Sequence, residues 1–94
     1  MFNQENTNWW VYIAQAADGS YYTGMTRDME KRKQKHNSHS GSLWARAKGD
    51  FEILWTEKHL GSSSTRIRES QLKGWTRRKK EALISGNLEL LKKL

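Results

Sequence analysis

The chain has 94 residues and a net charge of +7, from 17 Lys and Arg against 10 Asp and Glu, and it contains neither cysteine nor proline. This length is enough for one compact core and too short for two. The lack of cysteine excludes disulfides, thiolate metal sites and a cysteine nucleophile. No segment approaches the roughly 20 apolar residues that span a bilayer. We therefore expect a cytoplasmic protein without membrane contact, and its charge favours a polyanionic partner such as nucleic acid.

The first predicted elements are two strands that form a hairpin. Residues 9–15 and 21–25 are rich in aromatic and β-branched side chains, and an Asp-Gly turn separates them. Residues 1–8 show no periodicity and are predicted to be a flexible N-terminal lead.

The length of the hairpin loop decides which side chains share a face, because a shift of one residue in register moves every side chain to the other face. A two-residue turn would place Tyr12 and Tyr22 on opposite faces. A three-residue loop, closed by Gly19 in the left-handed conformation, pairs Tyr12 with Gly24 and puts both tyrosines on one face. We prefer this loop, because it also groups a more apolar set on the other face: Val11, Ile13, Tyr21 and Met25.

The remaining pattern predicts the order β-β-α-β-α-α. A short helix follows the hairpin over residues 26–37, with Asp28 as its N-cap, and a third strand spans residues 51–59. In that strand Phe51, Ile53 and Trp55 alternate with a second set, which consists of Glu52, Leu54, Thr56 and Lys58. One helix is predicted at residues 65–73, preceded by serines with capping hydroxyls, and another at residues 76–84. We divide the chain into the lead, a domain of residues 9–85, and a helical extension of residues 86–94.

Few side-chain types are available for catalysis. Arg32 and His36 are four residues apart on one predicted helix face, and Glu69 and Lys73 have the same relation on another. The three histidines lack the spacing of a zinc helix. A hydrolytic site would therefore combine Tyr, Arg and Glu, with His or Lys assisting.

The order and spacing of these residues resemble the GIY-YIG nucleases. The first motif of that family is similar to residues 10–12, "WVY", and the second to residues 22–24, "YTG", with Gly24 as the motif glycine. Arg32 follows this glycine by eight residues, as the arginine does in the nuclease domain of the excinuclease C subunit. Glu69, in "RESQLK", takes the position of the metal-binding glutamate. The resemblance is greatest to small bacterial members and extends over residues 9–84, although Val and Thr stand in the two motifs where the family name has Ile.

The resemblance implies an α+β fold, with a small three-stranded antiparallel sheet flanked by helices. It also implies hydrolysis of a nucleic-acid phosphodiester with one Mg²⁺ or Mn²⁺ ion. Glu69 would hold the ion and Arg32 would clamp the phosphate. Either Tyr12 or Tyr22 would orient or deprotonate the water, and His36 would relay a proton or hold a phosphate oxygen.

A basic segment near the C-terminus indicates contact with nucleic acid, because cations neutralise phosphates and an indole stacks on a base. The predicted contacts are Lys73, Trp75, Arg77, Arg78, Lys79 and Lys80. The alternative is a solvated basic helix face with Trp75 packed in the core.

These observations together predict a metal-dependent endonuclease that acts on DNA, with a structure-selective or repair-related substrate. Two alternatives stay open: a non-catalytic nucleic-acid-binding module, and a nuclease subunit that needs a protein partner. The sequence does not distinguish DNA from RNA.

Overall fold

A three-stranded antiparallel sheet forms the centre of the protein. The computed structural model describes residues 8–32 and 51–94. Its strands are β1 (Asn8–Ala16), β2 (Tyr21–Thr26) and β3 (Phe51–Leu60), and they lie in the order β2-β1-β3 with antiparallel pairing throughout. The predicted fold class is therefore confirmed. Most of the predicted lead lies outside the described residues, and β1 begins at Asn8.

The hairpin has the predicted three-residue loop. The backbone N–H of Ala16 donates to the carbonyl oxygen of Ser20 at 2.9 Å, and Gly19 adopts a φ of 91°. Asp18 stabilises the loop, because its Oδ1 accepts from the backbone N–H of Ser20 at 3.0 Å. The register pairs Tyr12 with Gly24, as predicted.

Three helices follow β3: α1 (Ser62–Lys73), α2 (Arg77–Ser85) and α3 (Leu88–Lys93). Thr76 caps α2 by accepting from the backbone N–H of Lys79 at 3.2 Å, and Asn87 caps α3 by accepting from that of Leu90 at 3.1 Å. Residues 29–32 are also helical, so the predicted order β-β-α-β-α-α is confirmed, and α3 follows it as one more short helix.

The start of α1 differs from the prediction. The serines of residues 62–64 lie inside the helix, and its N-cap is Gly61, which makes no side-chain capping hydrogen bond. Gly61 has a φ of 87°, a conformation that glycine adopts without steric cost. A glycine-based turn thus starts this helix, and the prediction of capping serine hydroxyls was wrong.

A β-bulge in β3 interrupts the regular alternation that was predicted for this strand, and that part of the prediction was wrong. Ile13 pairs with Trp55, whereas the next residue, Ala14, pairs with Ile53, so that Leu54 is the extra residue. A bulge moves the residues beyond it to the other face. Ile53 therefore packs on one side of the sheet and Trp55 on the other.

The two faces of the sheet have different contents. The side that packs against α1, called the helix face, carries Val11 and Ile13, which contact Leu72, and all three side chains are fully buried. The opposite side, called the tyrosine face, carries Tyr12, and its buried cluster also contains Ala14, Ala16 and Phe51. Within the described part of the chain, no helix has the length and apolar character needed to cross a membrane.

Candidate active site

Two phenols lie side by side on the tyrosine face. The ring centroids of Tyr12 and Tyr22 are 6.1 Å apart, and the rings are tilted by 49°. Tyr12 is 1% exposed, whereas Tyr22 is 37% exposed. Phe51 stacks on the ring of Tyr22, with centroids 6.0 Å apart and an angle of 16°. The site therefore contains one phenol fixed in the core and one that reaches solvent.

Gly24 makes room for the buried phenol. A Cβ atom at this position would lie 2.6 Å from the hydroxyl oxygen of Tyr12 and 2.7 Å from its Cζ. Real Cβ atoms essentially never approach that closely, and the Tyr12 ring is tightly enclosed. The motif glycine thus allows the Tyr12 side chain to cross the neighbouring strand.

Arg32 reaches the site because a capped helix begins directly after β2. The Oδ1 atom of Asp28 accepts from the backbone N–H of Lys31 at 3.0 Å, so that Asp28 is the N-cap, as predicted. The backbone N–H of Arg32 donates to the carbonyl oxygen of Asp28 at 3.0 Å. This turn of helix holds the half-buried Arg32 near the tyrosine pair.

Glu69 approaches the same site from α1, a helix that contacts all three strands. Its side chain is 17% exposed, and its Oε2 atom lies 3.4 Å from the ammonium nitrogen of Lys73, one helical turn later. Glu69 therefore presents a largely buried carboxylate with the Lys73 ammonium beside it.

The pKa of Tyr12 shows that these side chains influence one another. Burial raises the pKa of Tyr12 above its ordinary value of 10.0, and the positive charge of Arg32 opposes this rise. Tyr22 and Glu69 raise the pKa further, Tyr22 partly through a hydrogen bond between the two side chains.

The structure thus brings together four of the side chains predicted for catalysis: Tyr12, Tyr22, Arg32 and Glu69. Their individual roles stay predictions. His36 lies outside the described residues, and its role is also a prediction.

Phe51 was missed as part of this site. It is buried beside Tyr12 and stacks on Tyr22, although it starts β3, far along the chain from both tyrosines. Its apolar character in an alternating strand indicates burial, but the sequence contains no local signal for its partner.

The predicted nucleic-acid contacts on α2 lie behind the opposite face. Trp75 packs against the helix-face cluster, and the Arg68 guanidinium and the Lys79 ammonium lie over its ring, 5.4 Å and 4.7 Å from the centroid. Arg77 lies 4.2 Å over the ring of Tyr21 and pairs with Glu81 at 3.3 Å. These contacts favour the alternative interpretation of Trp75 as a packed residue.

Two other cations complete this basic segment. Arg78 is exposed, and Lys80 is half-buried, with its pKa lowered by burial. Together with Lys73 and Lys79, they stay predicted contacts for phosphate.

A comparison with known protein families identifies this fold. The model of the GIY-YIG catalytic domain matches residues 8–82. The UPF0213 protein BH0048 of Halalkalibacterium halodurans is 38% identical over 78 residues, which cover 83% of each chain. The UPF0213 protein YhbQ of Escherichia coli K12 is 37% identical over 92 residues, covering 94% of this chain and 91% of YhbQ.

A solved structure agrees with these matches. The solution NMR structure of the UPF0213 protein BH0048 from Bacillus halodurans superimposes with a TM-score of 0.54 over 83% of each chain, at 38% identity. The family match includes Tyr12 and the three side chains that act on its pKa, which are Tyr22, Arg32 and Glu69. The chain therefore belongs to the GIY-YIG superfamily, whose catalytic domain is of the nuclease type.

Proposed function

We propose that this protein is a divalent-metal-dependent endonuclease that hydrolyses phosphodiester bonds in DNA. The observation that carries the proposal is the pair of phenols 6.1 Å apart on the tyrosine face, with the charges of Arg32 and Glu69 near enough to act on the pKa of Tyr12. Phosphodiester hydrolysis needs a cation clamp for the phosphate, charge stabilisation and a group that positions water. The four side chains supply groups suited to these tasks.

Arg32 is the proposed phosphate clamp. The backbone of Arg32 lies in the first turn of a helix, and the positive charge of its side chain acts on the pKa of Tyr12. A guanidinium offers several N–H donors in a fixed plane, which suits the oxygens of a phosphate. Arg32 would therefore bind the scissile phosphate and stabilise the charge that develops on it.

Glu69 is the proposed ligand for Mg²⁺ or Mn²⁺. No group of three or more acidic or histidine side chains that could hold a metal occurs in residues 8–32 and 51–94. A single carboxylate nevertheless fits Mg²⁺, which keeps several waters and is completed by substrate phosphate. The Lys73 ammonium lies 3.4 Å from Glu69 Oε2, so that the ion would bind beside this lysine or in its place. When bound, the metal would supply Lewis-acid stabilisation of the phosphate oxygens.

The two tyrosines have separate proposed tasks. Tyr22 is the more exposed phenol, so it is the one that can orient an attacking water. Tyr12 is buried and hydrogen-bonded to Tyr22, and this contact holds the Tyr22 hydroxyl in place. Tyr12 and Phe51 would therefore position Tyr22, and Tyr22 would act on the water.

The test is a nicking assay with Mg²⁺ or Mn²⁺ on labelled single-stranded, duplex, flap and junction DNA, with a matched RNA strand. Arg32→Ala and Glu69→Gln should each reduce the rate by roughly 100-fold or more, the cost of removing one preorganised charge-stabilising group. Lys93→Ala and Glu89→Gln are matched controls, because both remove exposed charges from α3 and should leave the rate unchanged.

Three outcomes separate the alternatives. Activity that survives Arg32→Ala and Glu69→Gln would contradict the proposal. Salt-sensitive binding without cleavage under any metal condition would favour the non-catalytic module. Cleavage that appears only after addition of cell extract, and still requires Glu69, would favour a subunit that depends on a partner.

A further inference from the structure

A tryptophan lies next to the tyrosine pair on the same face of the sheet. Trp10 is two residues before Tyr12 on β1, and such neighbours lie roughly 7 Å apart on one face. The register pairs Trp10 with Lys58 of β3, and Tyr12 with Thr56. Trp10 and Lys58 therefore extend the tyrosine face beyond the site.

Both side chains are accessible. Lys58 and Thr56 are exposed, and Trp10 is half-buried and forms one wall of a surface pocket. The other wall of this pocket is the segment of residues 27–30, which leads directly to Arg32. A polymer bound at Arg32 and Tyr22 would consequently have a path over the indole of Trp10.

Trp10 differs from the other described tryptophans. Trp9 lies under the Arg27 guanidinium at 5.7 Å, Trp55 packs in the helix-face cluster, and Trp75 lies under Arg68 and Lys79. Within residues 8–32 and 51–94, no ring contact of Trp10 and no ion pair of Lys58 is formed. The indole and the ammonium are therefore available to a ligand beside the proposed catalytic groups.

We propose that Trp10 and Lys58 form a subsite for one nucleotide of an unpaired strand, next to the phosphate that is cut. Trp10 stacks on the base, and Lys58 binds the adjoining phosphate. A base paired within a duplex does not present its face to an indole, so the subsite selects single-stranded or locally opened nucleic acid. This inference deepens the proposed function, because it assigns a substrate class to the same site.

The test measures equilibrium binding in EDTA, with gel analysis to verify that the strand stays intact. The probes are a labelled 20-nucleotide dT strand and an abasic strand of the same length. Trp10→Leu should weaken binding of the dT strand roughly 10-fold, within the range for loss of one stacked base. Binding of the abasic strand should not change, and Trp10→Phe should restore most of the affinity for dT, because it restores an aromatic face.

Lys58 provides an independent variant with an exposed side chain. Lys58→Gln should lower the slope of log Kd against log salt concentration by about 0.7, the value for one phosphate contact on a single strand. Lys93→Gln on α3 is the charge-matched control, and it should leave the slope unchanged. Thermal melting of each variant separates loss of binding from loss of fold.

The outcomes distinguish this inference from the function on which it depends. Equal weakening of dT and abasic binding by Trp10→Leu would overturn the subsite. Unchanged dT binding in Trp10→Leu, together with an unchanged salt slope in Lys58→Gln, would also overturn it. Nicking by the unaltered protein would continue in either case. Failure of the unaltered protein to bind or to cut any strand would overturn the proposed function together with the subsite.

Discussion

The two faces of one small sheet differ in the side chains they bury. The helix face buries Val11, Ile13 and Leu72 completely. The tyrosine face contains a buried phenol, a solvent-exposed phenol and a position where only glycine fits. Strand alternation makes this division possible, because neighbouring residues of β1 and β2 point to opposite sides. Both faces therefore contribute buried side chains to stability, and the proposed chemistry belongs to the tyrosine face.

The largest expected change in stability comes from the helix face. Leu72→Ala should lower the free energy of unfolding by about 3 kcal/mol, because Leu72 is fully buried between α1 and the sheet. Urea unfolding measures this loss. Nicking per folded molecule should stay the same, and a specific loss of activity in the folded variant would contradict the division between the faces.

Gly24→Ala should disturb both stability and activity. The added Cβ would overlap the Tyr12 side chain, and overpacking of this kind costs about 2 kcal/mol. Displacement of Tyr12 should also lower the nicking rate. Gly74→Ala is the matched control, because its Cβ would meet its nearest neighbour, the carbonyl oxygen of Gln71, at an ordinary 3.6 Å. Equal nicking rates in the two variants would show that Gly24 does not position Tyr12.

Alkaline pH should destabilise the protein through Tyr12. Its pKa is raised above 10.0 by burial in the folded state, so the unfolded chain loses the phenol proton first as the pH rises. Stability therefore falls with pH above about 10, with a limiting slope of about 1.4 kcal/mol per pH unit from this group. Unfolding measured between pH 9 and 11 should show a shallower decline for Tyr12→Phe, and identical slopes would contradict the raised pKa.

A small gain in stability is expected at Thr23. Its hydroxyl is buried and has no hydrogen-bond partner among the described residues, and its Cα pairs with that of Ile13. Thr23→Val removes this hydroxyl at nearly constant shape, which should raise the free energy of unfolding by about 1 kcal/mol. A loss of stability, measured by urea unfolding, would indicate that the hydroxyl has a partner.

The hairpin could be predicted because its determinants are local. The Asp-Gly turn and the alternation of apolar side chains select one register, and the structure has that register. The juxtaposition of Arg32 and Glu69 with the tyrosines followed from motif spacing in the family resemblance. No periodic pattern within the chain would have brought together residues so far apart in sequence.

Features that depend on contacts between elements were not predicted. The bulge at Leu54 follows from the pairing of β3 with β1, and the regular alternation of that strand conceals it. The stacking of Phe51 on Tyr22 and the position of Arg68 over Trp75 also join side chains from different elements. The basic segment at residues 73–80 predicted nucleic-acid contact, with packing of Trp75 in the core as the alternative, and the structure packs Trp75 against the helix-face cluster.

Two adjacent tyrosines allow the division between the faces to be tested directly. Tyr22 lies on the tyrosine face, and Tyr21 packs against the helix-face cluster under the Arg77 guanidinium. The measurement is the Mg²⁺-dependent nicking rate of Tyr22→Phe and Tyr21→Phe, each of which removes one hydroxyl and keeps the ring. We expect Tyr22→Phe to lose roughly 100-fold or more of the rate, in the range for loss of one catalytic hydrogen-bonding group. Loss of its hydrogen bond with the buried Tyr12 hydroxyl should lower the free energy of unfolding by about 1 to 3 kcal/mol, and the variant should stay folded. Tyr21→Phe should cut at the unaltered rate, and equal rates for the two variants would contradict the assignment of catalysis to the tyrosine face.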